Sequence, residues 1–162
     1  MLQTTPWLAV DIENHEDLTL ACCGFAPGEN RAWVIPAGAP WQIEAIKELC
    51  ESSVPKVLQN GAYDRFFLRR FSGINLRNQV FDSYLAWHSY MPELAGKKVS
   101  ERKVGARRTV KSLKFLSSVF SRERYWKNYD FASEEERYRL CGIDCCVTLE
   151  IARKLRGLLE AA

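Results

Sequence analysis

Residues 7–13, with the sequence WLAVDIE, form a short apolar run that ends in two acidic residues. Its length and composition predict a β-strand. Asp11 and Glu13 are two positions apart on that strand, so both side chains project from the same face. Two carboxylates at the end of a buried strand are costly unless they bind a positive group, although an exposed strand end would also accommodate them.

Two further strands are predicted directly after this one, at residues 18–25 (LTLACCGF) and 31–35 (RAWVI). The segments between them, NHED and APGEN, are rich in turn-forming residues. This spacing predicts an antiparallel meander. From residue 40 to residue 52 the apolar residues recur with the period of a helix. That helix has Trp41 near its start and one apolar stripe, formed by Ile43, Ile46, Leu49 and Cys50.

The rest of the chain alternates between short strands and helices. Residues 56–59 (KVLQ) predict a strand and residues 62–71 a helix, with the turn Asn60-Gly61 between them. Residues 79–81 predict a fifth strand, and residues 82–90, 110–120 and about 133–159 predict helices. Ser133 and the three glutamates after it indicate the N-terminal capping box of the last helix. The order of elements predicts one α/β domain over residues 1–162, with a mixed sheet flanked by helices.

Composition narrows the class of protein. The chain has 162 residues, 47% of them hydrophobic, and a net charge of +3, which favours a folded domain and excludes global disorder. No stretch approaches the roughly 18 uncharged apolar residues of a membrane span, and the first residues lack the features of a signal peptide. The six cysteines include two adjacent pairs and no CxxC motif, so we expect reduced, buried thiols in a cytoplasmic protein, with a zinc or redox site as the alternative.

Residues 92–111 form a basic segment. They carry seven cations and only two acids, so the segment has a charge of +5 and the rest of the chain −2. Such a run is either a solvated loop or an arm that follows nucleic-acid phosphates. The cations are Lys97, Lys98, Arg102, Lys103, Arg107, Arg108 and Lys111.

Two further acids lie in helical contexts. Asp64 falls in the first helical turn after a short apolar strand, four residues beyond Asn60. Asp144 lies in the middle of the last helix beside apolar residues, where a position facing water is the ordinary explanation. Each acid alone has a structural explanation. The order and context of the four acids Asp11, Glu13, Asp64 and Asp144 together are far more specific.

The segments around these acids resemble the three exonuclease motifs of the DEDD superfamily. These segments are LAVDIE, VLQNGAYD and YRLCGIDCCVTLEIA, in the same order as the family motifs. The sequence is most similar to the 3′–5′ proofreading exonuclease domains of family A DNA polymerases, especially phage-type ones. QVFDSYLAWHSYMPEL and SLKFLSSVFSRERYWK resemble two more segments of that branch, so the resemblance covers residues 7 to 156. It implies an RNase H-like α/β fold with a five-stranded mixed sheet whose second strand is antiparallel.

The resemblance also implies an activity. It implies a hydrolase that uses two Mg²⁺ or Mn²⁺ ions to remove nucleoside monophosphates from the 3′ end of single-stranded DNA, as in replication and repair. Asp11 would bridge both ions, Glu13 and Asp144 would hold the ion that activates the attacking water, and Asp64 would act on the second ion. An all-carboxylate set suits Mg²⁺ or Mn²⁺, whereas zinc prefers histidine or cysteine. The partners implied are DNA 3′ ends and a DNA polymerase or other replication protein, with a monomeric chain.

One position departs from the family pattern. The tyrosine branch has a tyrosine four residues before the last aspartate, and its hydroxyl orients the attacking water; this chain has Leu140 there. The histidine branch uses the position five before, which is Arg139. Tyr138 lies about 240° around the helix from Asp144, so it could replace the tyrosine only if the helix were distorted, and Arg137 is a poor base. Loss of such a group typically lowers the rate by about 10²–10⁴-fold.

Several residues carry weaker predictions, each with a structural alternative. Asn60 either binds the terminal nucleotide or caps the following helix, and His88 either contacts a phosphate or is an ordinary boundary residue. Phe67 and Leu68 either border a base pocket or, as we favour, pack in the core. Residues 125–127 (YWK) suit either a single strand or a packed corner. The phosphate-binding prediction for the basic segment rests on Lys97, Lys98, Arg107, Arg108 and Lys111.

Two other functions remain open. One is a DEDD-fold module that binds nucleic-acid ends and cleaves weakly or not at all, with Leu140 as its signature. The other is an exoribonuclease that trims RNA, since nothing in the sequence distinguishes a 2′-hydroxyl. The sequence also leaves open whether the domain is free-standing or part of a larger polymerase.

Overall fold

The computed structural model describes residues 6–94, 112–121 and 133–162, and the backbone of residues 98–99 and 108–109. Its strands are β1 (Leu8–Asn14), β2 (Leu20–Gly28), β3 (Arg31–Pro36), β4 (Lys56–Leu58), β5 (Gln79–Asp82), β6 (Lys98–Val99) and β7 (Arg108–Thr109). Its helices are α1 (Pro40–Glu51), α2 (Gly61–Ser72), α3 (Ser83–Tyr90), α4 (Leu113–Phe120) and α5 (Glu134–Ala161), with a 3₁₀ turn at Pro92–Leu94.

Five strands form one mixed sheet in the order β3-β2-β1-β4-β5. The meander β1-β2-β3 is antiparallel, and β4 runs parallel to both β1 and β5. The predicted five-stranded mixed sheet and its antiparallel second strand are therefore confirmed. Because β1 and β4 are neighbours and parallel, their carboxyl ends meet at one edge of the sheet, and Glu13 and the start of α2 lie at that edge.

The alternation of side chains along β1 decides which residues meet which helices. Leu8, Val10 and Ile12 pack into a core cluster with residues of α1 and α2. Ala9 points to the other face, where it packs with Cys145 of α5. Since successive side chains of a strand alternate, Asp11 shares the face of Ala9 and projects toward α5.

Helix α5 is anchored from its outer side by α3 and α4. Trp87 of α3 and Leu116 of α4 are buried in a third cluster, together with Ile151 and Leu155 of α5. The N-terminus of α5 has the serine half of the predicted capping box, because the Ser133 side chain accepts a hydrogen bond from the backbone N–H of Glu136 at 3.1 Å. These contacts position the long helix across the sheet.

Three local features differ from the prediction. Leu18 lies in a turn with a φ of 66°, and β2 begins only at Leu20, because His15 and Thr19 close the hairpin by a backbone hydrogen bond. The first part of the predicted turn APGEN, up to Gly28, belongs to β2, since Gly28 pairs with Arg31. The basic segment, predicted to be a loop or arm, contains the antiparallel pair β6–β7.

The cysteines are part of the core. Five of the six are buried and Cys146 is half-buried, and all six are free thiols. This agrees with the expectation of reduced, buried cysteines. Among the helices within the described ranges, none is both long and apolar enough to cross a membrane.

Candidate active site

Three carboxylates meet where β1 faces α5. Asp11, Glu13 and Asp144 each offer an oxygen, and these oxygens all lie within 4.8 Å of one another. Asp144 is only 1% exposed, so the explanation that it faces water is wrong. Asp11 and Glu13 are half-buried, which keeps one side of the cluster open to solvent.

A glycine allows α5 to come this close to the sheet. Gly24 of β2 pairs with Asp11 across the antiparallel ladder. A Cβ atom at Gly24 would lie 2.6 Å from the Cys145 Sγ atom and 2.9 Å from the Cys141 Sγ atom, closer than real contacts. The absent side chain at Gly24 therefore brings Asp144, the neighbour of Cys145, toward Asp11.

The fourth predicted acid, Asp64, approaches from the other side of the sheet. It lies on the first turn of α2, is 5% exposed, and stands outside the three-carboxylate cluster. Burial raises the pKa of its carboxyl to about 7, while backbone hydrogen bonds from Asp64 itself and Ile12 favour the charged form. Nearby negative charge on Asp82 and Glu13 raises it further. This environment favours a proton or a cation on Asp64.

The chemistry of the cluster fits a hard divalent cation. Its donors are all carboxylate oxygens, the ligands preferred by Mg²⁺ and Mn²⁺. The Cys141 thiol donates weakly to the backbone carbonyl of Asp11 at 3.8 Å, so it is engaged outside the carboxylate oxygens. Uncompensated, three acids this close would repel one another. The site can therefore hold a metal ion through Asp11, Glu13 and Asp144.

The end of β1 is held by two side chains from different helices. Tyr63 of α2 donates its hydroxyl hydrogen to the Asn14 side-chain oxygen at 2.8 Å. Arg137 of α5 donates to the Asn14 backbone carbonyl at 3.3 Å and contacts the His15 Nδ1 atom at 3.2 Å. These contacts fix the strand immediately after Glu13. Arg137 therefore helps to hold the part of the chain that directly follows Glu13.

The position where the resembled exonuclease motif has a tyrosine is apolar in this chain. Leu140 is 2% exposed and lies one turn before Asp144 on α5. Tyr138 lies in a groove of about 850 Å³ between α5 and β3, which is also lined by Ala32 and Gly142. Because α5 is a continuous helix from residue 134 to 161, Tyr138 keeps this direction, away from Asp144.

The other sequence predictions have different outcomes. Phe67 and Leu68 are buried in the core, as we favoured, so neither borders a base pocket. Asn60 occupies the N-cap position of α2, but its side chain makes no capping hydrogen bond, so the capping alternative is wrong. His88 is exposed on α3, and its contact with a phosphate stays a prediction. The side chains of Lys97, Lys98, Arg107, Arg108 and Lys111, and residues 125–127, lie outside the described residues.

Two residues of the site neighbourhood were not predicted. Gly24 leaves no signal in the sequence, because its role depends on α5, which begins 110 residues later. Asp82 was predicted only as the first residue of a helix, yet its carboxylate contacts both α2 and α3. An aspartate directly before a helix is an N-cap signal, which predicts the contact with α3 but not the one with α2.

Comparisons with known proteins find structural likeness only. No protein-family model and no curated protein matches the sequence. The catalytic core of RRP6 from Trypanosoma brucei is similar with a TM-score of 0.70 and 15% identity, over 96% of this chain and 41% of that one. The POL domain of Pol1 from M. smegmatis, in complex with DNA primer-template and dNTP, has a TM-score of 0.66 and 15% identity, over 95% of this chain and 24% of that one. Brucella melitensis NrnC with bound Mg²⁺ has a TM-score of 0.65 and 18% identity, over 98% of this chain and 75% of that one.

These likenesses show the fold. The chain has the RNase H-like fold of the DEDD-type 3′–5′ exonucleases, as its sequence motifs predict. It spans about a quarter of the Pol1 chain and less than half of the RRP6 chain. The identities of 15–18% are too low to carry an activity from these proteins to this one.

Proposed function

We propose that this chain is a divalent-metal-dependent 3′–5′ exonuclease that removes nucleoside monophosphates from the 3′ ends of single-stranded DNA. The observation that carries the proposal is the cluster of Asp11, Glu13 and Asp144. Three carboxylates within 4.8 Å of one another repel when charged, and a divalent cation bound between them would relieve that repulsion. The cluster occurs in a fold that DEDD exonucleases share, at the positions that the sequence motifs mark.

In this proposal the four acids divide two ions between them. Asp11 would contribute to holding both ions, Glu13 and Asp144 would hold one, and Asp64 would hold the other. When bound, the ions supply Lewis acidity, which activates a water and stabilises the charge on the phosphate and the leaving 3′ oxygen. Asp64 would release its proton on metal binding, since a cation favours the charged carboxylate.

The other residues hold these ligands in place and shape the surroundings. Arg137 and Tyr63 fix the end of β1, so Glu13 keeps its orientation toward Asp144. Leu140 is buried one helical turn before Asp144, and its side chain has no group that could donate a hydrogen bond to the attacking water. We therefore propose a slower enzyme than one with a tyrosine hydroxyl at this position.

The positive charge of the basic segment would attract the phosphates of the substrate strand. The basic segment, residues 92–111, carries seven of the 23 Lys and Arg residues. Lys97, Lys98, Arg107, Arg108 and Lys111 would bind backbone phosphates, which carry no base information, so binding would tolerate many sequences. Asn60 and His88 are further candidates for contacts with the terminal nucleotide. A DNA polymerase or another replication protein is the proposed protein partner of a monomeric chain.

A specific observation favours a second function. Leu140 is buried and lacks a hydroxyl, so the fold could bind nucleic-acid ends while cleaving them slowly or not at all. RNA is the other substrate to test, because RNase D of Escherichia coli, an exoribonuclease involved in structured RNA processing, is similar in fold, with a TM-score of 0.58.

The deciding experiment uses 5′-labelled single-stranded DNA and RNA with Mg²⁺, Mn²⁺ or EDTA. We expect a ladder of products shortened from the 3′ end, no products with EDTA, and no cleavage of a circular single strand. Asp11→Ala should abolish cleavage while the protein stays folded. Glu16→Ala, which changes an exposed acid five positions away, is the matched control and should cleave normally.

The outcomes separate the candidate functions. Cleavage by Asp11→Ala at the parent's rate would falsify the metal assignment. Binding of 3′ ends without cleavage would favour the end-binding module. Faster shortening of RNA than of DNA would make the chain an exoribonuclease.

A further inference from the structure

Asp82 lies at the junction of α2, β5 and α3. Its Oδ1 atom accepts hydrogen bonds from the backbone N–H groups of Asn60 at 3.1 Å and Tyr84 at 2.9 Å. Its Oδ2 atom accepts from the backbone N–H of Gly61 at 2.8 Å and from the Gln79 side-chain amide at 3.2 Å. One carboxylate therefore joins the beginnings of two helices and the edge strand.

The contacts with α2 explain an unusual backbone conformation. Asn60 is left-handed, with φ 59° and ψ 43°, a conformation that costs energy for a residue with a side chain. In this conformation the consecutive N–H groups of Asn60 and Gly61 converge on one anion, an arrangement known as a nest. The Asp82 carboxylate is that anion, so it stabilises the turn that starts α2.

The packing around this turn leaves little freedom. A Cβ atom at Gly61 would lie 2.7 Å from the Gln79 side-chain nitrogen and 2.8 Å from the Leu58 Cβ atom. Position 61 therefore accepts only glycine without a shift, and Gln79 also orients the Asp82 carboxylate. Asp64 is three residues beyond Gly61, so its place follows from this turn.

We infer that Asp82 is a positioning residue, which sets the place of Asp64 at the metal site by anchoring the first turn of α2. The inference rests on the proposed function, because Asp64 matters only if the acids hold metal ions. Asp82 touches no substrate in this role and is not a catalytic residue. Substitution of residues that orient metal ligands typically lowers metal affinity or activity by about 10–100-fold.

The Asp82 carboxylate caps α3 and also anchors the first turn of α2. The variant Asp82→Asn separates these two roles. Asparagine is as good an N-cap as aspartate, so α3 should keep its cap. An amide has only one acceptor oxygen, so it cannot accept from Gly61 and Gln79 on one side and from Asn60 on the other. We expect the variant to stay folded with a lower unfolding temperature, because Gly61 and Gln79 lose their acceptor, and to need an Mg²⁺ concentration at least about tenfold higher for half-saturation.

Two comparisons show whether the effect passes through Asp64. Ser112→Ala removes the N-cap hydrogen bond of α4, a helix without a predicted metal ligand, and should leave the Mg²⁺ requirement unchanged. In Mn²⁺ titrations by calorimetry, Asp82→Asn should weaken binding in the parent but not in the Asp64→Asn background, because Asp64 has already been lost.

The results distinguish this inference from the proposed function. If the parent binds Mn²⁺ but cleaves nothing, the exonuclease proposal fails, and the calorimetric comparison still decides the role of Asp82. A folded Asp82→Asn protein with a metal affinity and a Mg²⁺ requirement within twofold of the parent would overturn the inference. A parent that binds no Mn²⁺ would overturn both.

Discussion

At the scale of single residues, Leu140 is where the sequence differs from the exonuclease motifs that it resembles. This side chain is buried one turn before Asp144, where a tyrosine hydroxyl would orient the attacking water. We predict that Leu140→Tyr increases the cleavage rate roughly tenfold or more, because the hydroxyl restores a hydrogen bond to that water. We also expect the parent to depend more on Mn²⁺ than on Mg²⁺.

The control for this prediction is Leu140→Phe, which adds the ring without the hydroxyl. Rates measured on 5′-labelled single-stranded DNA should rise for tyrosine only. Equal rates in the parent and in a folded, DNA-binding Leu140→Tyr protein would mean that another group already orients the water. An equal gain with phenylalanine would assign the effect to packing.

The second prediction at this scale is that the stability of the folded protein depends on pH through Asp64. Burial raises the pKa of its carboxyl from 3.8 to about 7. The folded state therefore binds the proton more tightly than the unfolded state does, and this contribution to stability is present at low pH and is lost as the pH rises through about 7. Without metal, the unfolding temperature should fall between pH 6 and pH 8.

Divalent metal should reverse this trend, because a cation replaces the proton on Asp64. The rise in unfolding temperature on adding Mg²⁺ should be larger at pH 8 than at pH 6. The comparison is Asp64→Asn, an isosteric change that removes the titrating group and should flatten the metal-free profile. An unchanged profile in Asp64→Asn would show that another group titrates.

At the scale of elements, the close approach of α5 to β2 creates the carboxylate cluster. We predict that Gly24→Ala weakens Mn²⁺ binding and lowers the unfolding temperature, because its Cβ atom would lie 2.6 Å from the Cys145 sulfur and push Asp144 away from Asp11. Calorimetry and thermal unfolding measure the two effects. Removing the sulfur in the double variant Gly24→Ala with Cys145→Ala should recover part of the loss.

The matched control for Gly24 lies on the same strand. A Cβ atom at Gly28 would meet nothing within 4 Å, so Gly28→Ala should leave both metal binding and stability nearly unchanged. If Gly24→Ala binds Mn²⁺ as the parent does, the cluster does not depend on this spacing.

At the scale of the whole molecule, charge is unevenly distributed. The basic segment, residues 92–111, carries +5 and the rest of the chain −2. We predict that replacing Lys97, Lys98, Arg107 and Arg108 by alanine weakens DNA binding and flattens its dependence on salt, because fewer counterions are released from DNA on binding. Fluorescence anisotropy with labelled single-stranded DNA at increasing NaCl measures the slope.

A second fourfold variant removes the same charge from α1 and α2, at Lys47, Arg65, Arg69 and Arg70. If the basic segment binds the strand, this control keeps a steeper slope than the first variant. Equal slopes in the two variants would mean that DNA binding depends only on the net charge of the protein. The basic segment would then have no special role in binding.

The sequence by itself predicted the five strands of the mixed sheet, the five helices and the four candidate acids. Hydrophobic period and turn residues are local properties, so the five strands, the five helices and the antiparallel second strand could be predicted from segments of ten to twenty residues. Spacing along one strand likewise placed Asp11 and Glu13 on one face. Boundaries were less certain, as at Leu18, because hydrogen bonds between residues of the hairpin decide where a strand begins.

Only the tertiary structure decided how the acids meet. The distance between Asp11 and Asp144 depends on a glycine, Gly24, that lets a helix from the other end of the chain approach the sheet. The place of Asp64 depends on Asp82, whose carboxylate accepts hydrogen bonds from residues 21 and 22 positions earlier. Such contacts leave no periodic signal, because they join residues that are distant in sequence and meet only after the sheet and its helices have packed.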